Sequence, residues 1–300
     1  MDRLTLMTVF VAVAEEESFA GGGRRLGMSP PAVTRAIAAL EERLGIKLLN
    51  RTTRHVRVTE AGQRYLDDAR RIIGEVDEAD EAAAGINGTP RGQLAITAPV
   101  LFGKMFVMPG VVDYLRRYPD MEVSAMFVDR VVNLLEEGID AGVRIGELPD
   151  SSMKAAKVGQ VRRVVCAAPA YLAAHPAPQT PADLIHHTTI AAASVNSAFD
   201  WKFSHGGQSL STRIKPRLSV SSNDGAIAAV RAGFGITRLM SYQIAPLIDS
   251  GELLPLLVDY ETAQLPVHVV HREGRYASAK VRTFLDLMIG RLRAEKSLNP

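Results

Sequence analysis

The stretch SFAGGGRRLGMSPPAVTRAIAALEERL, residues 18–44, consists of two helical segments separated by a sharp break. Ser18 is a suitable N-cap for the first segment, and Gly27 is a typical residue to end a helix. Ser29 can cap the second segment, and the two prolines after it then fall in its first turn, where a missing N–H costs little. The pattern predicts two short helices joined by a tight turn.

The second of these helices has one apolar face and one small, polar face. Its apolar residues recur at i, i+4, i+7 and i+11: Val33, Ile37, Leu40 and Leu44. A helix that enters the major groove of DNA needs little bulk on its outer face and benefits from an arginine that can bind guanine or phosphate. We therefore expect DNA contacts from Ser29, Pro30, Pro31, Thr34, Arg35 and Ala38. An ordinary amphipathic helix with a solvated arginine is the alternative.

Charge is unevenly distributed around this segment. The chain of 300 residues has a formal net charge of only +2, yet eight basic residues lie between positions 24 and 57, opposed only by Glu41 and Glu42. An acidic stretch from Glu75 to Glu81 follows. A basic segment beside an acidic one indicates a local phosphate-binding surface rather than a generally polycationic protein.

Within the basic segment, residues 50–59 read NRTTRHVRVT and predict a β-hairpin, because Val56 and Val58 alternate with a polar residue. Phosphate contacts from such a wing fix the position of a protein on DNA without reading the base sequence. We expect these contacts from Arg51, Arg54 and Arg57. A solvated surface hairpin is the alternative.

A long helix is predicted from residue 60 to about residue 84. Apolar and small residues at alternating spacings of four and three form a heptad seam, which is typical of two helices that pack side by side. The seam residues are Tyr65, Ala69, Ile72, Val76, Ala79 and Ala83. No apolar partner helix is adjacent in sequence, so we predict a dimer seam. Packing of this helix on its own domain is the alternative.

This order of helix, helix-turn-helix, basic wing and long helix resembles the LysR-type transcriptional regulators. The residues that carry the resemblance are Phe10, Ser18, Phe19, Leu26, Ser29, Pro31, Ala32, Val33, Arg35, Ile37, Leu40, Glu41, Leu44, Gly45, Leu48, Arg51, Thr59, Gly62 and Tyr65. The resemblance implies a winged helix-turn-helix DNA-binding domain over residues 1–59 and a dimerisation and linker helix over residues 60–88.

Two features depart from the usual pattern of the family. The first helix of the motif carries Gly21, Gly22 and Gly23 where alanines are usual, and a glycine inside a helix costs about 0.8–1 kcal/mol relative to alanine. We expect this helix to be weak. Pro30 stands where many members have glutamine, so one side-chain contact to a base is expected to be missing.

From Gln93 onward, strands and helices alternate as in a mostly parallel α/β sheet. Strands are predicted over residues 94–98, 123–128, 142–145, 162–167, 188–192, 218–221, 235–239 and 267–271. Helices are predicted near residues 111–117, 131–137, 170–175, 225–232, 242–248 and 279–295.

The resemblance to the LysR family continues here, more loosely, through segments such as VSSNDGAIAAVRAGFGIT. It implies an effector-binding domain over residues 89–300 that resembles periplasmic binding proteins, with two α/β subdomains joined by two crossovers around a ligand cleft. Subdomain one would cover residues 91–162 and 266–300, and subdomain two residues 163–265. The predicted fold is therefore an α domain followed by an α/β domain.

Candidate cleft residues lie where strands give way to helices. Free N–H groups at such turns suit an anion, and an arginine nearby can pair with a carboxylate. The effector candidates are Thr97, Ala98, Pro99, Phe102, Arg144, Ser222, Asn223 and Thr237. A structural role for Arg144 and simple helix capping by Ser222 and Asn223 are the alternatives. Asp224 would weaken carboxylate binding if it faced the cleft.

The sequence offers no catalytic or metal-binding constellation. It lacks an HExxH motif, a GxSxG elbow and a phosphate-binding loop, and the single cysteine, Cys166, allows neither an internal disulfide nor a cysteine zinc cage. We expect no enzyme activity, no cofactor and no metal. The N-terminus does not resemble a signal peptide, and no run reaches the roughly 20 apolar residues of a membrane span, so a cytoplasmic protein without a membrane partner is expected.

The predicted function is ligand-responsive regulation of transcription. A dimer or tetramer would bind double-stranded promoter DNA, and a small-molecule effector, favoured as an organic acid, would shift its arrangement. Two alternatives stay open. One is a small-molecule binding protein or enzyme with an N-terminal assembly module, and the other is a DNA-binding repressor that needs no ligand.

Overall fold

The computed structural model describes residues 1–51, 56–84, 89–148, 153–192, 199–272 and 278–299. The chain forms two compact units, residues 1–88 and residues 89–300. The predicted wing residue Arg54 and the side chains of Arg51 and Ala83 lie outside the described part. Within that part, no helix has both the length and the apolar character needed to cross a membrane.

The first unit is a winged helix-turn-helix followed by a long helix. Its elements are α1 (Arg3–Glu15), α2 (Phe19–Leu26), α3 (Pro30–Leu44), β1 (Leu49–Arg51), β2 (Val56–Val58) and α4 (Glu60–Ala84), with β1 and β2 antiparallel. Ser18 caps α2 by accepting a hydrogen bond from the Gly21 N–H at 3.1 Å, and Gly27 ends the helix with a φ of 63°. Ser29 occupies the N-cap position of α3, but its side chain makes no capping hydrogen bond.

The apolar stripe predicted for α3 lies in the core of this unit. Val33, Ile37 and Leu40 are fully buried and belong to one cluster with Phe10 of α1 and Leu48, which precedes β1. Burying one large apolar side chain stabilises the fold by about 1.5–3 kcal/mol. This burial fixes the rotation of α3 about its own axis, and with it the face that meets solvent.

Helix α2 forms in spite of its three glycines, and its backbone lies very close to its neighbours. A Cβ at Gly22 would lie 2.8 Å from Cγ2 and 2.9 Å from the backbone nitrogen of Val13 in α1, and one at Gly23 would lie 2.9 Å from the Met28 carbonyl oxygen. Glycine therefore offsets its low helix propensity here by permitting a close approach between backbones.

The heptad seam predicted for α4 divides into two parts. Helix α4 packs against α1, where the Tyr65 ring lies 5.6 Å from that of Phe10, and Ala69 is fully buried. Ala69 is therefore covered within its own unit, whereas Tyr65 is only partly buried, and its place in a dimer seam stays a prediction. Ile72 and Val76 are only partly buried, so the later part of the helix keeps accessible apolar surface.

The second unit contains twelve strands and six α-helices among the described residues. The strands are β3 (Gly92–Ala98), β4 (Met121–Phe127), β5 (Ala141–Ile145), β6 (Lys154–Val161), β7 (Arg163–Ala167), β8 (Thr189–Ala192), β9 (Asp200–His205), β10 (Gln208–Arg213), β11 (Leu218–Val220), β12 (Ile236–Met240), β13 (Leu254–Leu256) and β14 (Leu265–His271). The helices are α5 (Val100–Phe102), continued by a π-helical turn (Gly103–Val107) into α6 (Met108–Arg117), then α7 (Pro169–Ala174), α8 (Asn223–Arg231), α9 (Ser241–Asp249) and α10 (Ala279–Ala294). Short 3-10 helices cover Pro181–His186 and Val258–Tyr260.

These strands form two five-stranded sheets, in the orders β4-β3-β5-β14-β6 and β11-β8-β12-β7-β13, and a separate hairpin of β9 and β10. We call the parts built on the first and second sheets the first lobe and the second lobe. The chain crosses to the second lobe between β6 and β7 and returns between β13 and β14. In each sheet one strand, β14 or β7, runs antiparallel to its two neighbours, and the other four strands run in the same direction. This agrees with the expectation of a mostly parallel sheet.

The prediction of a helix over residues 131–137 is wrong. This segment forms a turn in which the Asn133 side chain accepts a hydrogen bond from the Leu135 N–H at 3.1 Å. Val131 and Leu135 are 91% and 68% exposed, so the apolar residues that suggested a helix do not form a buried face. Asparagine side chains compete with helices by bonding nearby backbone groups.

Gly62, in the first turn of α4, gives a test of the packing between α4 and the wing. A Cβ there would lie 2.1 Å from the Leu48 carbonyl oxygen and 2.7 Å from Cγ1 of Val58. We expect Gly62→Ala to lower the melting temperature, since overpacking costs about 1–3 kcal/mol and outweighs the roughly 1 kcal/mol gain in helix propensity. Gly74→Ala, in the same helix, meets nothing within 4 Å and should not destabilise. Thermal unfolding followed by circular dichroism would decide, and equal melting temperatures for the two variants would contradict this packing.

Candidate functional site

The face of α3 opposite the core is exposed along its first half. Every residue predicted on this face is exposed: Ser29, Pro30, Pro31, Thr34, Arg35 and Ala38. Within the described part of the chain, no hydrogen bond or ion pair engages the Arg35 guanidinium. The helix thus presents small side chains, the hydroxyls of Ser29 and Thr34, and the free guanidinium of Arg35, which is the surface that a major-groove helix requires.

The wing adds a second basic element to the first unit. Arg57 is exposed on β2, directly opposite Asn50 of β1. The antiparallel pairing of the two strands matches the predicted hairpin, although its tip lies outside the described residues. Arg57 is therefore available for the phosphate contact expected of it.

A buried carboxylate joins the end of α3 to the start of the wing. Glu41 is 4% exposed and accepts hydrogen bonds from the N–H groups of Leu48 and Leu49, at 3.0 and 3.2 Å, and from Nζ of Lys47, at 2.6 Å. Burial by itself would raise the pKa of Glu41, but the hydrogen bonds from Lys47, Leu49 and Leu48 lower it below its ordinary value. No pattern within α3 indicates this role for Glu41, because its hydrogen-bond partners lie beyond the end of the helix.

In the second unit, one carboxylate connects the two lobes. The Val100 N–H, at the turn after β3, donates to Oδ1 of Asp129 at 3.0 Å, and Nδ2 of Asn223, at the start of α8, donates to Oδ2 at 3.2 Å. Asp129 is exposed, so solvent reaches this contact. The predicted residues at the β3 turn and at Asn223 therefore do meet across a cleft, but through a carboxylate that the chain itself supplies.

Aromatic side chains pack beside this contact. The ring of Phe102, in the first lobe, lies 4.9 Å from that of Phe106 and 5.3 Å from that of Tyr242, at the start of α9 in the second lobe. Burial raises the pKa of Tyr242 well above its ordinary value, the Gln243 side chain opposes this rise, and the Asp129 charge reinforces it. Phe102 is fully buried, so it holds the lobes together rather than offering a free surface.

Arg144 is half-buried, and its Nη2 donates to the Val132 carbonyl in the segment that follows Asp129. Burial lowers the pKa of Arg144, the Glu137 charge opposes this shift, and the Arg130 charge adds to it. Arg130 and Glu137 themselves form a two-bonded ion pair at 2.7 and 2.6 Å. Arg144 therefore bonds a carbonyl that a ligand carboxylate could replace.

The other effector candidates have structural partners. Thr237 is fully buried, and its hydroxyl donates to the Ile190 carbonyl at 3.0 Å, which corrects the expectation that it is available to a ligand. Ala98 is buried in the core of the first lobe. Ser222 caps α8 by accepting from the Gly225 N–H at 3.1 Å, so the capping alternative describes it.

Thr97 differs from these residues, because its hydroxyl has no partner. The residue is 1% exposed, and no described group bonds its buried Oγ1. Its methyl group occupies the space that a side chain at Gly142 would need, since a Cβ there would lie 2.8 Å from Thr97 Cγ2. Buried hydroxyls are usually hydrogen-bonded, so Thr97 keeps a donor and an acceptor that no described protein group uses.

Asp129 and Tyr242 lie at the cleft but were not among the sequence candidates. Asp129 is the second residue after the end of the parallel strand β4, a place where ligand-binding groups often lie, and that position was the signal that could have found it. A winged helix-turn-helix with a free arginine on its recognition helix, together with a two-lobed α/β unit around a cleft, defines a DNA-binding regulator with a ligand-binding domain.

Comparison with known proteins agrees with this class. Residues 4–63 match the family of bacterial regulatory helix-turn-helix proteins of the lysR type, and residues 87–293 match the LysR substrate binding domain. An uncharacterized HTH-type transcriptional regulator of Haemophilus influenzae is 31% identical over 281 residues, which cover 94% of this chain and 98% of the relative. The HTH-type transcriptional regulator CrgA of Neisseria meningitidis serogroup B is 31% identical over 95% of this chain and 96% of its own length.

Solved structures give the same assignment. CrgA of Neisseria meningitidis superposes with a TM-score of 0.62 at 31% identity, covering 96% of this chain and 98% of that one. The full-length virulence activator AphB of Vibrio cholerae, a member of the LTTR family, gives a TM-score of 0.62 at 26% identity, covering 96% and 99%. The chain belongs to the LysR family of transcriptional regulators, whose matching members are regulators and not enzymes.

Glu41 gives a test of how the recognition helix is anchored. Because its pKa is lowered in the folded state, the carboxylate stabilises the first unit at pH values above its ordinary pKa of 4.5, and this contribution is lost as the pH falls through the folded value. Hydrogen bonds to a charged group contribute about 1.5–3 kcal/mol. We expect Glu41→Gln to lower the melting temperature at neutral pH. We also expect the melting temperature of this variant to fall less on acidification than that of the parent. The exposed neighbour variant Glu42→Gln should unfold like the parent at every pH, and parallel acid profiles for all three proteins would refute the anchor.

Proposed function

We propose that this regulator binds double-stranded promoter DNA as a dimer or tetramer, through the exposed face of α3 and the wing, and that a small organic acid bound between the lobes controls it. The observation that supports the DNA contact is the unpaired Arg35 among exposed small residues. We expect Arg35 and Thr34 to reach base edges. Ser29 and the two prolines would lie close to the sugar-phosphate backbone of the DNA, and the small side chain of Ala38 would leave room for that backbone.

Self-association would use the later part of α4. Ile72 and Val76 are only partly buried, and Ala79 is exposed at the next heptad position. Partly buried apolar residues at heptad spacing favour a second copy of the same helix as the partner. Pairing two recognition helices also matches the two half-sites that dimeric helix-turn-helix proteins bind.

The proposal of an acidic effector rests on what the cleft already holds. Asp129 places a carboxylate between the Val100 N–H and the Asn223 amide, so these two donors accommodate that group. An effector carboxylate could take the place of the Asp129 side chain, which is exposed. Thr97 has a buried hydroxyl that no described group bonds, and the one hydrogen bond of the Arg144 side chain within the described residues goes to the Val132 carbonyl.

The DNA contact can be tested by filter binding at two salt concentrations. We expect Arg35→Ala to lower operator affinity and to weaken discrimination between operators, since a two-bonded base contact is worth about 1–3 kcal/mol. Arg57→Ala should weaken all duplexes alike and reduce the salt slope by about one unit, the loss of one phosphate contact. Unchanged affinity in both variants would rule out this docking.

The effector site can be tested by removing the internal carboxylate. We expect Asp129→Ala to bind organic acids more tightly than the parent, because the Val100 and Asn223 donors become free. Thermal shift with a panel of mono- and dicarboxylates, and with their neutral amides as controls, measures this. A ligand at about 100 times its dissociation constant stabilises the folded state by about 2.7 kcal/mol.

Asp120→Ala is the matched control, because it removes the same charge from an exposed position just before β4, at the opposite end of that strand from Asp129. It should respond like the parent. Stabilisation by amides alone, or equal responses of the two aspartate variants, would contradict an acidic effector at this position and would leave the DNA-binding proposal intact.

A further inference from the structure

A basic pocket lies in the second lobe beside the crossovers, on the opposite sheet face from α8 and α9. It is a shallow pocket that opens to solvent, and the polar residues around it are Arg163, Lys202, Arg238, Tyr260, Glu261 and Thr262. Val165 also lines it and packs with Trp201 and Phe203, whereas the next residue, Cys166, packs on the side of α8 and α9. Neither the DNA contact nor the effector cleft uses these residues.

Arg238 is the most confined cation of this pocket. Its guanidinium lies 5.0 Å from the centre of the Trp201 ring and 6.0 Å from that of Phe203, and its Nη1 donates to the Lys202 carbonyl at 3.1 Å. Burial, followed by the charge of Arg163, lowers the pKa of Arg238 to about 10. A guanidinium has five N–H donors, so one carbonyl leaves most of them free.

Arg163, the first residue of β7, faces the same pocket. It is half-buried, and burial lowers the pKa of its guanidinium. No described residue forms an ion pair with it. Two partly buried arginines on adjacent strands repel each other, and removing such charges from water is costly unless an anion accompanies them.

The described residues around the pocket do not supply that anion. The one carboxylate in the described lining is Glu261, and both of its oxygens accept from Nη1 of Arg162, at 3.0 and 2.8 Å. Two arginines, Arg163 and Arg238, therefore line the pocket beside a single carboxylate that is already paired. Lys202 contributes its backbone carbonyl, and it is exposed between the buried Trp201 and Phe203 of β9. The Thr262 hydroxyl is a further free donor, because its Oγ1 is buried and no described group bonds it.

We propose that this pocket is a binding site for a phosphate group, held by Arg163 and Arg238 with the Thr262 hydroxyl. Neither guanidinium has a carboxylate partner among the described residues, and a phosphate would supply one. Arginine forks suit the several oxygens of phosphate. The pocket opens to solvent, so the ligand is either free phosphate or a phosphate monoester whose remaining part stays in solvent.

The site would act on the crossovers. Arg163 directly follows the first crossover, and Thr262 lies on the return crossover between β13 and β14. A phosphate bound to both therefore ties together the two connections between the lobes, next to the ion pair of Arg162 and Glu261. This role is separate from that of the cleft carboxylate Asp129.

Trp201 makes the test direct, because it is the single tryptophan of the chain and lies against Arg238. We would titrate the full-length protein with inorganic phosphate, and in a second arm with glycerol 3-phosphate, at ionic strength held constant with chloride. The proposal predicts a saturable change of tryptophan fluorescence and a phosphate-specific rise in melting temperature. Tighter binding of the ester than of inorganic phosphate would identify a phosphorylated metabolite as the ligand.

Arg163→Gln should weaken phosphate binding by roughly tenfold or more, which corresponds to about 1.4 kcal/mol. Thr262→Val, a nearly isosteric change that removes the free hydroxyl, should weaken it as well. Arg213→Gln, exposed on β10 and outside the pocket, is the matched control and should bind like the parent. Asp129→Ala should also bind phosphate like the parent, which separates this site from the effector cleft. The proposal would be overturned if phosphate had no more effect than chloride in both measurements, or if Arg163→Gln and Thr262→Val bound phosphate like the parent.

Discussion

The carboxylate of Glu41 accepts hydrogen bonds from the Leu48 and Leu49 N–H groups, and the geometry of the DNA-binding unit depends on this interaction. Burial of Val33 and Ile37 fixes how α3 is rotated about its axis, but it does not fix where the chain goes after the helix ends. Glu41 does so, because moving the start of the wing would leave a buried charge without donors, which is costly. The exposed face of α3 and the basic wing therefore keep a constant relation to each other.

The elements that sequence patterns predicted well are those determined by neighbouring residues. The stripe from Val33 to Leu40 repeats with the period of a helix, so the exposure of Thr34 and Arg35 on the other face follows from the same period. Ser18 and Gly27 act on neighbouring residues, and they cap the start and the end of α2 as predicted. By contrast, strand β10 alternates neither in polarity nor in burial, so no period revealed it.

The cleft was predicted less completely, because its contacts join distant parts of the chain. Asp129 bonds Val100, 29 residues away, and Asn223, 94 residues away. No local pattern encodes such a meeting. Thr237 shows the related difficulty within a strand, since only the neighbouring strand reveals that its hydroxyl bonds the Ile190 carbonyl. Residues 131–137 were misassigned because helix periodicity in so short a segment does not outweigh one asparagine side chain that bonds its own backbone.

An effector acid that competes with Asp129 faces an internal ligand. A tethered group acts at an effective concentration on the order of millimolar even on a flexible chain, and Asp129 is held directly beside its donors. Replacing Asp129 at its two donors therefore adds little to the affinity of the effector. Most of that affinity must come from contacts with groups that Asp129 does not bond. Arg144 and Thr97 are such groups, because one bonds only a carbonyl and the other nothing in the described chain. An effector that replaced Asp129 at its donors and the Val132 carbonyl at Arg144 would release the segment after β4, which carries these two residues. A ligand shifts an equilibrium only by binding one arrangement better than another, and this segment is where the two arrangements would differ.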